Sequence, residues 1–345
     1  MNRAAAAAHQ PDVALQTVKA WVVREFGGPE SLHFEDVEPP EPKDGAVRIA
    51  VRAASINFPD VLMIAGQYQV KPELPFVPGV EVSGVVESAP DGSGFAKGDR
   101  VMALLDNTSL TRGGFANLSD ASPQSLTRMP DGMPFDEAAA FTLVFQTGWF
   151  GLHRRANLQA GETLLVHAGA GGVGSAAIQL GKAAGATVIA TAGSDEKVEV
   201  CKRLGADHAL NYKSADFVDA VKSITGGRGA DVVYDPVGGD VYDRSTKCIA
   251  FEGRIIVVGF TSGRIAQAAT NHVLIKNYSV VGLHWGLYAR RAPELTVAAM
   301  RTLFDMYAAG QIKPYISTRL PLEEAPAALA MVGGGRSTGK VVLQT

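Results

Sequence analysis

The sequence predicts an α/β chain in which a β-rich domain accompanies a doubly wound parallel sheet. Three observations predict it. Short strands broken by Pro and Gly run from residue 18 to 132, apolar strands alternate with amphipathic helices from 163 to 282, and 38 of 345 residues are glycine. That exceeds the usual glycine content of about 7 %.

Strands are expected at 18–24, 32–37, 46–54, 80–88 and 100–104, with Pro39, Pro40, Pro42, Pro72, Pro75, Pro78, Gly92, Gly94 and Gly98 between or beside them. After Pro134 the run Asp136-Glu-Ala-Ala-Ala suits a helix N-terminus, where acidic residues complement the dipole, and helical composition continues to Asn157. A boundary near 135–150 follows. Beyond it come strand 163–168, helix 173–184, strand 187–191, helix 195–204, strand 208–211 and helix 215–224. Strand 231–234, helix 241–249, strand 254–258 and a last strand at 279–282 complete the series. Strands apolar on both faces, alternating with helices, belong to a parallel sheet covered on both sides. Six of them make a dinucleotide-binding fold. The rest, with helix 294–309, strand 317–321, helix 322–331 and strand 339–343, is too short for its own core and is expected to return to the β-rich domain.

Charge and composition remove several classes of function. The balance of 32 Lys+Arg against 35 Asp+Glu gives −3 and argues against a nucleic-acid partner. A 46 % hydrophobic, 19 % charged chain can fill a core, and no apolar run approaches the ~18 residues of a membrane span. Cys201 and Cys248 are the only cysteines, too few for a disulfide framework or a multi-thiolate zinc site, which fits a reducing cytoplasm. Residues 1–17, including an Ala run at 4–8, lack an apolar signal region and read as a loose tail. The sequons at Asn107-Thr-Ser and Asn117-Leu-Ser carry little weight without a secretion signal.

The strongest motif is Leu164-Leu-Val-His-Ala-Gly169-Ala-Gly171-Gly172-Val173-Gly174. Gly169, Gly171 and Gly174 spell GxGxxG between an apolar strand and a helix, the context a dinucleotide fingerprint requires. Side-chain-free positions let backbone approach a pyrophosphate, and the helix start offers N–H groups and partial positive charge. The acid that would accept from a ribose 2′-hydroxyl is missing from the next strand end, Val188-Ile-Ala-Thr-Ala192-Gly193-Ser194. Asp195 comes later, where it suits a helix start, and leaves NADH open. Ser194, Lys197 and Tyr212 supply the hydroxyl and cationic groups a 2′-phosphate prefers, so NADPH is the expected cofactor. A solvated Lys197 is the plain alternative.

Together these segments resemble the zinc-independent quinone oxidoreductases of the medium-chain dehydrogenase/reductase superfamily. Carrying the resemblance are Phe26-Gly-Gly-Pro-Glu-Ser-Leu, Arg52-Ala-Ala-Ser-Ile-Asn57-Phe-Pro-Asp60, Pro75-Phe-Val-Pro-Gly79-Val-Glu81-Val-Ser-Gly84, Thr147-Gly-Trp, Ala156-Asn-Leu-Gln-Ala-Gly-Glu-Thr-Leu-Leu-Val-His-Ala, Leu204-Gly-Ala-Asp and Gly339-Lys-Val-Val-Leu. It implies a GroES-like domain from 18–138 and 284–345, a Rossmann domain at 139–283 between its halves, and a homodimer. Zinc members carry Cys in the segment matching Ala54 to Asn57 and His where Val80 stands, so the resemblance implies no metal site here. Glu81 reads as a buried structural carboxylate.

Without zinc an alcohol has nothing to prepare it for hydride loss, whereas a quinone or an activated C=C is already electrophilic. Such an acceptor needs a polarising donor and a proton, for which Asn57 and Tyr68 are the candidates. Tyr68 matches the proton-donating tyrosine of similar 2-enoyl thioester reductases; an amphipathic loop tyrosine is the bland reading. The resemblance also places Thr147 and the strand end Gly259-Phe260-Thr261 at the nicotinamide, and Lys340 in the terminal Gly-Lys strand, where a surface lysine serves equally. His167 and both cysteines read as structural. The expected activity is NADPH-dependent hydride transfer to a small-molecule quinone or α,β-unsaturated carbonyl. A 2-enoyl thioester reductase, for which Arg290-Arg291 could supply charge to a CoA arm although a solvated pair is the simpler reading, and a non-catalytic NADPH-binding sensor are the alternatives.

Overall fold

The computed structural model describes residues 17–38, 45–69, 71–106 and 112–345. The expected tail, apart from Thr17, and the sequon at Asn107 lie outside them. Strands β1 (Val18–Val23) and β2 (Leu32–Val37) form an antiparallel ribbon. β3 (Val47–Ile56) is mostly apolar, with Arg48, Arg52 and Ser55 as its polar residues, and leads into Asn57, which caps α1 (Phe58–Ile64) in a capping box closed by Asp60, with Pro59 in the first turn. β4 (Glu81–Ser88), β5 (Arg100–Leu104), β6 (Leu118–Ala121) and β7 (Leu126–Arg128) join β3 in an antiparallel sheet. Next come α2 (Phe135–Ala139) and α3 (Thr142–Trp149), which runs on into a π-helical turn at Phe150–Arg155.

The parallel sheet follows: β8 (Thr163–Val166), α4 (Gly172–Ala183), β9 (Thr187–Ala192), α5 (Asp195–Arg203), β10 (His208–Asn211), α6 (Phe217–Ile224), β11 (Ala230–Asp235), α7 (Gly239–Ser245), β12 (Ile249–Val257), α8 (Thr270–Lys276) and β13 (Ser279–Gly282). Its order is β10-β9-β8-β11-β12-β13, so the winding reverses beside β8, where such sheets open a ligand crevice at the carboxyl ends of their strands. The expected helix 241–249 stops at Ser245, because Ile249 already pairs with Ala230 and opens β12 early, across an irregularity in the register. Its apolar residues suited either structure.

After α9 (Trp285–Arg291) and α10 (Pro293–Ala308), β14 (Ile316–Pro321), α11 (Ala325–Gly333) and β15 (Lys340–Gln344) return to the first sheet, whose order is β14-β15-β3-β4-β5-β7 with β6 also on β3. Val341 and Leu343 of the C-terminal stretch pack in one core with Ile49, Phe76 and Phe115. Phe141, Phe145, Leu164, Leu180 and Tyr234 fill the core on the other side, each large side chain contributing about 1.5–3 kcal/mol by burial. Helices α3 and α4 meet at Gly148, where a Cβ would lie 2.7 Å from Leu180 Cδ1. On the same helix Val144 Cγ1 stands 3.4 Å from where a Gly172 Cβ would lie, which sets α3 beside the turn after β8. Among the described residues no helix is long and apolar enough to cross a membrane.

Candidate active site

The turn after β8 is built from absent side chains. A Cβ on Gly169 would meet Ala190 Cβ and Cys201 Sγ at 2.9 Å, and one on Gly174 would lie 2.2 Å from the Ala168 carbonyl oxygen. Both glycines therefore serve packing. Gly171 differs: it caps α4 with extended backbone, makes no side-chain cap, and a Cβ there would meet only the Ala168 oxygen at 3.2 Å. Ser175 N–H is the first to join the helix, bonding the Gly171 carbonyl at 2.8 Å, which leaves the amides of Gly172, Val173 and Gly174 outside the ladder. Bare backbone and three amides at a helix start fit the pyrophosphate of a dinucleotide. Beneath the turn, His167 is fully buried between Thr191 Oγ1 (2.9 Å) and Ser245 Oγ (2.8 Å), and burial pulls its pKa down to about 3. It stays neutral and structural.

The end of β9 gathers the second expected group. Ser194 caps α5, its Oγ accepting from Lys197 N–H at 3.3 Å, and a Cβ on Gly193 would lie 2.7 Å from the Tyr212 hydroxyl. Asp195 opens the helix and accepts from Asn211 Nδ2 at 2.8 Å. Lys197 Nζ is not merely solvated: it donates to the Gly335 carbonyl at 2.7 Å and so bridges to the loop before β15. Arg336 follows that carbonyl directly, exposed, and the sequence reading missed it although Gly333-Gly-Gly-Arg is a plain loop signal. At the ends of β11 and β12, Gly259, Phe260 and Thr261 form a loop held by the Thr261 N–H on the Pro236 carbonyl at 3.1 Å, with Phe260 and Thr261 exposed.

On the opposite side, Asn57, Glu81 and Lys340 form one buried network with Ser55. Lys340 Nζ donates to Asn57 Oδ1 at 2.5 Å and to Glu81 Oε2 at 3.3 Å. Glu81 Oε2 also accepts from Ser55 Oγ (2.7 Å) and Asn57 Nδ2 (3.2 Å), and Oε1 accepts from Leu143 N–H at the start of α3 (2.8 Å). Lys340 is only 3 % exposed, so the surface reading is corrected: its stem packs on Gly172 and its ammonium turns toward β3. Asn57 has both amide atoms engaged inside the protein. Asp60 accepts from the N–H groups of Asn57 (2.7 Å) and Val80 (3.0 Å), and burial lifts its pKa to about 7 against those bonds and the Lys340 charge. Tyr68, half-buried beyond α1, has its pKa raised by burial and by the Asp60 charge, which keeps the phenol protonated. Thr147 is buried on α3, next to Gln146, which accepts from Trp285 Nε1 at 2.9 Å. Among the described residues no three His, Cys, Asp or Glu side chains cluster to hold a metal.

Comparison with known proteins gives this arrangement its family. Residues 43–131 match the alcohol dehydrogenase GroES-like domain and residues 172–301 the zinc-binding dehydrogenase domain. The chain is 40 % identical to a quinone oxidoreductase-like protein 2 homolog of Nematostella vectensis, over 87 % of this chain and 81 % of that protein. Human quinone oxidoreductase is 32 % identical over 94 % of this chain and 97 % of its own length. The chain belongs to the quinone oxidoreductase family of the medium-chain dehydrogenases/reductases. Among solved structures, Escherichia coli quinone oxidoreductase complexed with NADPH superposes with a TM-score of 0.87 at 29 % identity, covering 95 % of this chain and all of that one. Within this quinone oxidoreductase family chain the Gly171 ↔ Gly339 bridge and the Gly339 N–H on the Ala170 carbonyl (2.6 Å) join the glycine turn to the strand that carries Lys340. No sequence signal marks that junction, since its partners lie 168 positions apart, at 171 and 339.

Proposed function

We propose that this oxidoreductase uses NADPH and passes hydride to a quinone or to the β-carbon of an α,β-unsaturated carbonyl without zinc. The observation that supports the reading is the junction of a dinucleotide-type glycine turn with the buried Lys340–Asn57 network, from which α1 leads to a half-buried, protonated Tyr68. The NADPH complex of the Escherichia coli relative supports the cofactor. Gly169, Gly171, Gly172, Val173 and Gly174 would hold the pyrophosphate, Ser194, Lys197 and Tyr212 the 2′-phosphate with Arg336 beside them, and Thr147, Gly259, Phe260 and Thr261 the nicotinamide. When bound, the reduced nicotinamide supplies the hydride. The chain's own work is to orient the acceptor, exclude water and deliver a proton. Tyr68 O–H hydrogen-bonds the acceptor carbonyl and transfers its proton to the developing enolate, which a phenol does near neutral pH. Asn57 acts from within the network, and Lys340 touches the cofactor site through its stem on Gly172. Residues 18–138 with 284–345 and residues 139–283 are the two domains that would frame the crevice.

The proposal includes a homodimer. β13 is an open edge strand with three of its four residues exposed, and Leu274 and Ile275 of α8, which precedes it in the chain, are each 75 % exposed. An exposed edge flanked by apolar side chains is a template for a second copy. The activity is tested by following NADPH oxidation with quinones, enones and enoyl thioesters. Turnover with quinones or enones, lowered at least tenfold for enones in Tyr68→Phe with NADPH affinity unchanged, is the expected result. Turnover with enoyl thioesters alone would replace the acceptor class, and an unaffected Tyr68→Phe would remove the proton donor.

A further inference from the structure

The buried network around Lys340 is more elaborate than a core needs. Lys340, Glu81 and Asp60 are each at most 3 % exposed, and they sit within one shell of hydrogen bonds. A buried ion pair adds little net stability over apolar side chains of the same volume, because desolvation offsets the attraction. What it supplies is direction. Glu81 collects four donors from three separate stretches: Ser55 and Asn57 at the end of β3, Leu143 at the start of α3, and Lys340 in β15. Lys340 is itself fixed to the glycine turn twice. Its stem lies 3.3 Å from where a Gly172 Cβ would stand, and the preceding Gly339 N–H donates to the Ala170 carbonyl at 2.6 Å.

We propose that Lys340 and Glu81 are a positioning pair that sets the distance between the glycine turn and the Asn57–α1–Tyr68 segment, and with it the reach for hydride transfer. The inference rests on the hydride-transfer reading above. One end of the clasp is the start of α4, which would hold the cofactor. The other is Asn57, which caps α1, the helix leading to Tyr68. Through Leu143 the same carboxylate anchors α3, which carries Thr147. Hydride transfer needs reacting atoms about 3–3.5 Å apart, and a displacement of about 1 Å costs on the order of 100-fold in rate. A clasp that joins all three supports is therefore felt in kcat before it is felt in cofactor binding.

The test uses Lys340→Met, Glu81→Gln and the double variant Lys340→Met/Glu81→Gln. Methionine keeps the packing on Gly172 and removes the ammonium; the double variant also removes the charge left unpaired, so it carries the test if Lys340→Met alone fails to fold. Melting temperature, NADPH affinity, kcat and KM for a quinone and an enone, and the primary isotope effect with NADPH deuterated at the transferred C4 position are measured on each folded variant. The double variant is expected to melt within a few degrees of the wild type and to bind NADPH within about threefold of wild-type affinity. Its kcat is expected to fall at least tenfold, with a larger isotope effect as hydride transfer becomes limiting. A folded double variant with wild-type kcat and isotope effect overturns the positioning role and leaves the hydride reading standing. A wild-type chain that binds NADPH yet oxidises it with no acceptor overturns both.

Discussion

Alanine placed at Gly174 and, separately, at Gly171 pulls apart the two tasks of the turn after β8. At Gly174 the new methyl would lie 2.2 Å from the Ala168 oxygen and 2.8 Å from the Gly169 Cα, both backbone atoms that cannot rotate aside. An unhindered Gly→Ala change inside a helix gains up to about 1 kcal/mol, whereas overpacking costs about 1–3 kcal/mol. The expected net loss is about 1–2 kcal/mol, a fall of several degrees in melting temperature. At Gly171 the backbone is extended, φ −82°, and the methyl meets one atom at 3.2 Å, so the fold loses only a weak cap, under about 1 kcal/mol. There the methyl stands where phosphate would approach the amides of α4, and NADPH affinity should drop at least tenfold, about 1.4 kcal/mol. NADPH at 100 times its dissociation constant stabilises the wild type by about 2.7 kcal/mol, and at the same concentration this gain should be roughly halved in Gly171→Ala. Scanning calorimetry with and without NADPH reads both effects. A Gly174→Ala protein at least as stable as the wild type, or a Gly171→Ala protein with the full NADPH shift, refutes the division of labour.

Lys197→Ala should reduce an NADPH over NADH preference of at least tenfold to near equality while NADH affinity holds, measured by fluorescence titration; an unchanged ratio removes Lys197 from the phosphate site. Because burial and the Asp60 charge raise the Tyr68 pKa, its proton-bearing form persists to higher pH than a free phenol's. The rate of enone reduction should therefore show no loss from this group until pH exceeds about 10, and the alkaline fall should vanish in Tyr68→Phe; a fall centred near pH 8 in the wild type that Tyr68→Phe abolishes would contradict the shift. Val280→Glu with Leu274→Asp should convert a dimer to monomers in light scattering, and an unaltered mass would place the interface elsewhere.

Much of the fold was legible because it is local. Strand β8, its glycine turn and α4 are contiguous, and the parallel strands are apolar throughout. α1 was also readable in principle, since Asn57-Phe-Pro-Asp60 spells a capping box with proline in the first turn, but at seven residues the helix is too short to show an apolar period. The end of α7 was not readable, because Ile249 and Ala250 fit helix or strand until pairing with Ala230 decides. At the site, the glycine turn and the β9 end are each contiguous in the chain, so the elements that carry them are local. The Lys340 network did not, as burial of a lysine depends on partners at 57 and 81 that only the sheet brings close. The Lys197 contact with Gly335 escaped for the same reason.

The neighbour relation of β3 and β15 also sets an order of events during synthesis. β8 to β13 lie in one continuous stretch of chain and can pair as they leave the ribosome, whereas β3, covered at Val47–Ala50 by β6, keeps its Ala53–Ile56 half open on that flank until residue 344 has been made. Closing so long a loop is entropically slow. For most of translation the half-strand that leads into Asn57 must wait beside an already folded neighbour, and holding that short edge unpaired is where a chaperone would matter most to this protein.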